Sequence, residues 1–228
     1  MNNDTSIRTN ALQSLLLEVF PQSRPETRTA LVNTASIQTF GPGQTMFRQG
    51  DVTPIALVLD GHVAIRRTSL DGRQLIVRIL NRGMLGAIIP LVSRPSAGDI
   101  VALTRTPVAL WGGPWVRSLA RADPGLAVDL IDHVVVTYEE VVGRLDSLLY
   151  QNALRRVARI LHIHSDLFFA DQPILTRDYL PILVGTSREM TGRVLRLLEA
   201  QSIVARVGRD RLRLLDPDGL AAAAADAR

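Results

Sequence analysis

The apolar and polar positions follow three rhythms along the chain. Between residues 50 and 111 the apolar residues come in short β-type runs, "IALVLD" at 55–60, "HVAIRR" at 62–67 and "LIVRIL" at 75–80. Gly50, Gly61, Gly72 and Gly83 punctuate them at a constant interval of eleven. Turn signals at that spacing between strands predict an antiparallel sandwich or barrel, with Asp60-Gly61 and Asp71-Gly72 as hairpin turns. The segment "IVALTRTPVALW", residues 100–111, extends it by two strands. The region reads as a β-roll of about eight strands, preceded by a helix around Ala11 to Val19.

The second rhythm is helical. Asp123 can cap a helix whose first turn takes Pro124, and no further proline interrupts before Pro173. Running to about Tyr150, it would be about 40 Å long, more than a roll needs for its own cover. Two adjacent heptad stripes follow it. One holds Ala127, Leu130, Val134, Thr137, Val141 and Leu148; the other holds Val128, Ile131, Val135, Tyr138, Val142, Leu145 and Leu149. One partner surface explains one stripe, so two stripes predict packing on the roll and on a second helix, most simply a symmetry mate. The expected dimer interface is Ile131, Val134, Val135, Tyr138, Val141, Val142, Leu145 and Leu149. Asn152 can cap a new helix, "ALRRVARILHIHSDLFF", which makes residues 150–152 the expected hinge.

The third rhythm is two short helices around a glycine. "TRDYLPILVG", residues 176–185, can be capped by Thr176 and ends at Gly185, a natural left-handed terminus. Thr186 or Ser187 can then cap a helix in which Val194, Leu195, Leu197 and Leu198 recur as a buried stripe. Two helices joined so tightly predict a helix-turn-helix, whose second helix offers its N-terminal side chains to the DNA major groove. Arg188, Glu189 and Arg193 stand there, and five residues of helix separate the first and last of them by only about 140°. An ordinary solvated face would also tolerate such charges, and Glu189 could instead close a capping box with Thr186.

Composition bears on these readings in part. The 228 residues, 46% of them hydrophobic, suffice for two cores. All 26 basic residues are Arg; residues 1–150 carry 14 Arg against 13 acids, residues 177–213 carry 8 against 4. The positive surplus thus gathers around the suspected reading helix, although the net charge is only +4. The absence of cysteine excludes disulfides, thiolate-held metals and cysteine nucleophiles. No nucleophile is paired with a base, so an enzyme is not expected. The polar start "MNNDTSIRTN" has no signal pattern and no apolar run reaches spanning length, which predicts a soluble cytoplasmic protein without a membrane partner. The closing "AAAAADAR" reads as a frayed low-complexity end.

The order of roll, long helix, hinge and helix-turn-helix resembles the Crp/Fnr superfamily of bacterial transcription regulators over nearly the whole chain, most closely in "VGTSREMTGRVLRLLE" at 184–199. The resemblance implies an α+β fold with a cyclic-nucleotide-binding-like roll over residues 1–122, a dimerisation helix and hinge over 123–151, and a winged helix-turn-helix over 152–228. It implies that Arg188 and Arg193 donate to guanines while Glu189 accepts from cytosine N4, pairings that base-edge chemistry supports, and that the half-site resembles TGTGA. Gly208 would turn the wing, with Arg177, Ser187, Arg206 and Arg209 on phosphates. Double-stranded DNA, the chain itself as homodimer, and RNA polymerase are the implied partners. Pro181 departs from the small residue usual at the helix crossing and removes one helical N–H, and Thr191 replaces the usual Val or Ile.

The sensor departs further. Nucleotide-binding relatives carry Gly-Glu and, a short way on, Arg-Ser. Here Gly86 remains, but Ala87 stands for the Glu and Ala97 or a neighbour for the Arg, with Arg94 as a displaced alternative. Val141 and Val142 match the Thr-Ser pair that touches adenine. Independence from cyclic AMP is therefore expected, and no cofactor is assigned. Haem, sensing NO, CO or O2 through one of His62, His133, His162 or His164, remains an alternative, with His62 and His133 the two near a sensor pocket. A small-molecule-sensing module that binds no DNA is the other alternative, with the effector unidentified.

Overall fold

The computed structural model describes residues 2–225. The chain packs as two compact units: residues up to Thr68 together with Val77–Glu140, and Ser69–Ile76 together with the chain from Val141 on. The division falls inside one continuous helix and gives the tip of one hairpin to the second unit.

The first unit opens with α1 (Asn2–Val19), longer than the sequence pattern marks, and α2 (Pro25–Thr34). Eight strands follow: β1 (Ser36–Phe40), β2 (Thr45–Phe47), β3 (Ile55–Val58), β4 (Val63–Thr68), β5 (Gln74–Leu80), β6 (Leu85–Ala87), β7 (Asp99–Ala102) and β8 (Thr106–Trp111). They form two antiparallel sheets, ordered β1-β8-β3-β6 and β2-β7-β4-β5. The four regularly spaced glycines all have positive φ, as turn punctuation requires.

The Asp71-Gly72 turn joins neighbouring strands, Ser69 N–H donating to the Arg73 carbonyl at 2.9 Å, and is a hairpin. Asp60-Gly61 is not. It carries the chain from β3 in one sheet to β4 in the other, so it is a corner of the roll. Its glycine is required by space as well as by φ: a Cβ there would lie 2.5 Å from the Thr104 hydroxyl and 2.8 Å from the Arg105 carbonyl. A two-residue turn signal specifies the reversal but not which sheet receives the next strand.

α3 (Gly113–Ala122) leads into α4 (Pro124–Tyr150), the long helix at its expected bounds. Asp123 caps it, accepting from Gly125 N–H at 3.0 Å, and also takes Arg24 N–H at 2.8 Å. Leu126 and Leu130 are buried with Leu16, Leu31, Leu57 and Trp111, so the start of α4 closes the first unit's core.

In the second unit Asn152 caps α5 (Ala153–Ile163), its side chain accepting from Arg155 N–H at 2.9 Å. The expected single helix breaks at His164, and α6 (Ser165–Phe168) follows as a separate turn. A 3-10 turn at Arg177–Tyr179, α7 (Leu180–Val184) and α8 (Arg188–Ala200) precede the hairpin of β9 (Val204–Val207) and β10 (Arg211–Leu214) and then α9 (Pro217–Ala224). The alanine run is therefore helical to Ala224, anchored by Asp216 accepting from Gly219 N–H, rather than frayed. Residues 226–228 lie outside the described residues. Val157, Leu161, Phe168, Leu180, Leu195, Leu198 and Leu220 fill this unit's core. Among the described residues no helix is long and apolar enough to cross a membrane.

Candidate nucleic-acid interface

α7 and α8 meet through Gly185, Thr186 and Ser187. Gly185 is left-handed at φ 69°, the conformation a glycine adopts without cost, and its N–H closes α7 on the Pro181 carbonyl at 3.0 Å. Pro181 lies in the first turn of α7, where its missing N–H had no helical partner to lose, so the departure leaves the motif intact. Thr176 makes no side-chain cap bond, because the chain enters α7 through the 3-10 turn instead.

Of the two possible caps for the second helix, Ser187 is the one used, its Oγ accepting from Met190 N–H at 3.1 Å. That puts Arg188 and Glu189 in the first turn, the capping box with Thr186 does not form, and Glu189 pairs with Arg193 at 3.2 Å. Both side chains are largely exposed, so the pair contributes only about 0.3–0.5 kcal/mol and mainly orients the two groups. Thr191 is buried, and its hydroxyl donates to the Ser187 carbonyl at 3.0 Å, so the β-branched shape is kept and the polar atom satisfied. Val194, Leu195 and Leu198 are buried, but Leu197 is half exposed and does not belong to the stripe.

The remaining expected contact residues surround this helix. Arg177 and Arg188 line a common cleft of about 100 Å³ with Thr191 and Gly192. Arg177 N–H donates to the Asp210 carbonyl at 2.9 Å, which ties that turn to the wing. Gly208, at φ 63°, turns β9 into β10, and Arg209 is exposed beside it. Arg206 pairs with Glu199 at 3.2 Å, an acid the sequence reading did not connect with it. Arg196 was also overlooked. It is exposed one turn after Gly192, the i, i+4 spacing that sets it beside that glycine.

Along α4 the side chains divide by exposure. Ala127, Thr137 and Leu148 are partly and Leu130 fully covered, whereas Val134 and Val141 of the same stripe are exposed. Val128, Ile131, Val135, Tyr138, Leu145 and Leu149 of the other stripe are exposed as well, and Val142 is half-buried. One face of the helix is thus a nearly continuous apolar strip without cover in the single chain.

Residues 37–122 match the family model of the cyclic nucleotide-binding domain, and residues 155–223 that of the Crp-like helix-turn-helix domain. This chain is a Crp/Fnr-type DNA-binding transcription regulator. It is 23% identical over 203 residues to the cAMP-activated global transcriptional regulator CRP of Salmonella typhimurium, covering 83% of this chain and 94% of that one. Among solved structures its fold is similar to FixK2 of Bradyrhizobium japonicum, with TM-score 0.69, 19% identity and 86% and 100% of the two chains covered. The c-di-GMP responsive global regulator CLP of Xanthomonas campestris gives TM-score 0.70 at 21% identity, over 84% and 99%.

The regulator's roll carries its own charged cluster. Arg78, on β5, donates from Nη1 to the Thr137 hydroxyl at 2.9 Å and from Nε to the Glu140 carboxylate at 2.5 Å, both on α4, with only 12% of its side chain exposed. The sequence reading missed it, because nothing in the spacing of residues 78, 137 and 140 reveals the contact. Ala97, and Arg94, the displaced alternative, are both exposed. His133 turns Nε2 to the Val19 carbonyl at 3.2 Å and stacks edge-on against Phe20, and His62 holds a buried Nδ1 without a partner.

Proposed function

We propose that this regulator acts as a homodimer that reads a palindrome of TGTGA-like half-sites without cyclic AMP. Arg188 and Arg193 donate to guanines, Glu189 accepts from cytosine N4, and Arg177, Ser187, Arg206 and Arg209 bind phosphates. The observation that carries the reading is the start of α8: a helix capped by Ser187 with all three charged side chains exposed in its first turns, packed through Val194, Leu195 and Leu198 on its other face. A helix whose first turns expose donors and an acceptor to solvent suits major-groove readout. The uncovered apolar strip of α4 supports the dimer, which would also supply the second reading helix that a palindrome needs.

Independence from cyclic AMP is supported on the sensor side. The groups that would hold ribose and phosphate are replaced or exposed, and the Thr137 hydroxyl on the dimer helix is already engaged by Arg78. Haem is not part of this reading; ligation through His133 Nε2 would replace its bond to the Val19 carbonyl.

The test pairs two substitutions. Glu189→Ala relaxes discrimination at one base pair by about 1–3 kcal/mol, while Arg209→Ala weakens binding to all sequences alike and lowers the salt slope by about 1. Fluorescence anisotropy on a TGTGA palindrome, its single-base variants and random DNA reads both. Equal loss on specific and random DNA for both variants would sink the assignment of the trio.

A further inference from the structure

Within the second unit, Arg144 of α4 is a half-buried cation without an acid. Its Nη2 donates to the Ile76 carbonyl at 3.1 Å and to the Leu183 carbonyl, and no carboxylate is paired with it among the described residues. Its Nε is buried without a partner. Arg156 of α5, which donates to the Leu148 and Gln151 carbonyls, adds like-charge repulsion to a burial penalty, and both push the Arg144 guanidinium below its ordinary pKa. Two neighbouring cations partly withdrawn from water against carbonyls carry a desolvation cost that an apolar side chain of similar length would not. Something other than stability accounts for it.

The two acceptors show what. Leu183 lies in the last turn of α7, where helix carbonyls have no helical donor, so Arg144 supplies the bond that terminates the first helix of the motif. Ile76 is in the Ser69–Ile76 hairpin tip. The turn next to Leu183 is held from the same side: a Cβ on Gly185 would lie 2.9 Å from Leu148 of α4 and 3.3 Å from Leu75 of the hairpin. Hairpin tip, end of α4 and helix-turn-helix thus converge on one side chain. Only Gly185, Thr186 and Ser187 separate α7 from the start of α8, so a rotation of α7 is passed directly to Arg188 and Glu189.

Resting on the reading of α8 as the base-reading helix, we infer that Arg144 is a positioning residue for sequence discrimination: it fixes the first helix of the motif to the hairpin tip and so sets the aim of the reading helix. It touches no DNA. A base contact misplaced by about 1 Å loses its hydrogen bonds while a phosphate contact adapts, so the residue should affect specific binding and leave non-specific binding alone.

The experiment begins with selection of a binding sequence from a random duplex library by the full-length protein. The selected duplex and a scrambled one are then titrated with wild type, Arg144→Met, Arg144→Lys and Leu75→Ala, each over a range of salt. Arg144→Met should lose roughly tenfold or more on the selected duplex, the scale of a charge-assisted hydrogen bond, with unchanged affinity and salt slope on the scrambled one. Arg144→Lys should recover part of the loss. Amide hydrogen exchange should quicken at Gly185 and Thr186 and in the hairpin tip. Leu75→Ala, which keeps every charge, should show the same pattern more weakly and carries the test if Arg144→Met does not fold. Equal losses on both duplexes, a reduced salt slope, or full specific affinity in Arg144→Met or, where that variant does not fold, in Leu75→Ala would overturn the inference. A wild type that enriches no sequence would overturn the base-reading assignment and this inference with it, before any variant is compared.

Discussion

Arg78 in the roll and Arg188 at the head of α8 are the same side chain put to opposite uses. Arg78 is nearly buried, with a carboxylate at 2.5 Å and a hydroxyl at 2.9 Å, so its bonds are made within the chain. Arg188 is exposed, and no ion pair holds it among the described residues. Even where the second unit does pair its arginines, as in Arg193 with Glu189 and Arg206 with Glu199, the groups stay solvated and can exchange partners. A satisfied charge fixes the protein's own geometry, and an open one needs a partner from outside. By that measure the start of α8 is open to an anion, whereas Arg78 has closed on partners of its own chain.

The largest effect should come from the face that serves both regions. If α4 dimerises through its exposed strip, Leu145→Glu buries unpaired charges at the interface at a cost of several kcal/mol and yields monomers. Tight binding to a palindrome is lost with the dimer, while weak binding to random DNA remains. Sedimentation velocity at micromolar concentration checks it, and an unchanged dimer would move the interface elsewhere.

The same contrast explains what could be read in advance. The residues proposed to read bases are neighbours on one helix, and a helix converts sequence spacing into spatial spacing directly, so Arg188, Glu189 and Arg193 were legible as a group. Sheets obey no such rule. β3 and β4 are adjacent in sequence yet lie in different sheets, which is why the Asp60-Gly61 turn read as a hairpin. Arg78 meets residues 59 and 62 positions away, and Arg144 meets carbonyls 68 and 39 positions away, distances at which no periodicity operates. The heptads of α4 gave two stripes, but the boundary between covered and open positions depends on what packs beside the helix. Val134 and Val141 are exposed in the single chain, as expected of interface residues, whereas Val142 of the same expected interface is half-buried.

A smaller effect should follow from opening the Arg78 cluster. Arg78→Met strands the Glu140 carboxylate and one bond of Thr137, but Glu140 is 43% exposed and water can replace the lost partner. The expected cost is about 1 kcal/mol, a fall in Tm of about 2–4 °C by calorimetry, with base discrimination unchanged. Discrimination that fell along with Tm would mean that this cluster, too, takes part in setting the reading helix.

The smallest expected effect is that of cyclic AMP itself. A ligand shifts a two-state equilibrium only by its differential affinity, and a ligand that hardly binds shifts nothing. Tight capture of a cyclic nucleotide needs a carboxylate on the ribose, a guanidinium on the phosphate and a hydroxyl on the base. The chain has Ala87 and Ala97 in the first two places, and Arg94 is exposed. On the helix side Val141 and Val142 cannot hydrogen-bond a base, and Thr137 already donates to the His133 carbonyl at 2.8 Å while accepting from Arg78. Missing partners for a buried charged ligand cost several kcal/mol, hence several orders of magnitude in affinity. Millimolar cyclic AMP should therefore change the dissociation constant for a TGTGA palindrome by less than about tenfold, or 1.4 kcal/mol. The readout is a fluorescence titration with and without the nucleotide, and a gain above tenfold would mean that Arg78 gives way to the ligand and that the roll is as open to a partner as the reading helix.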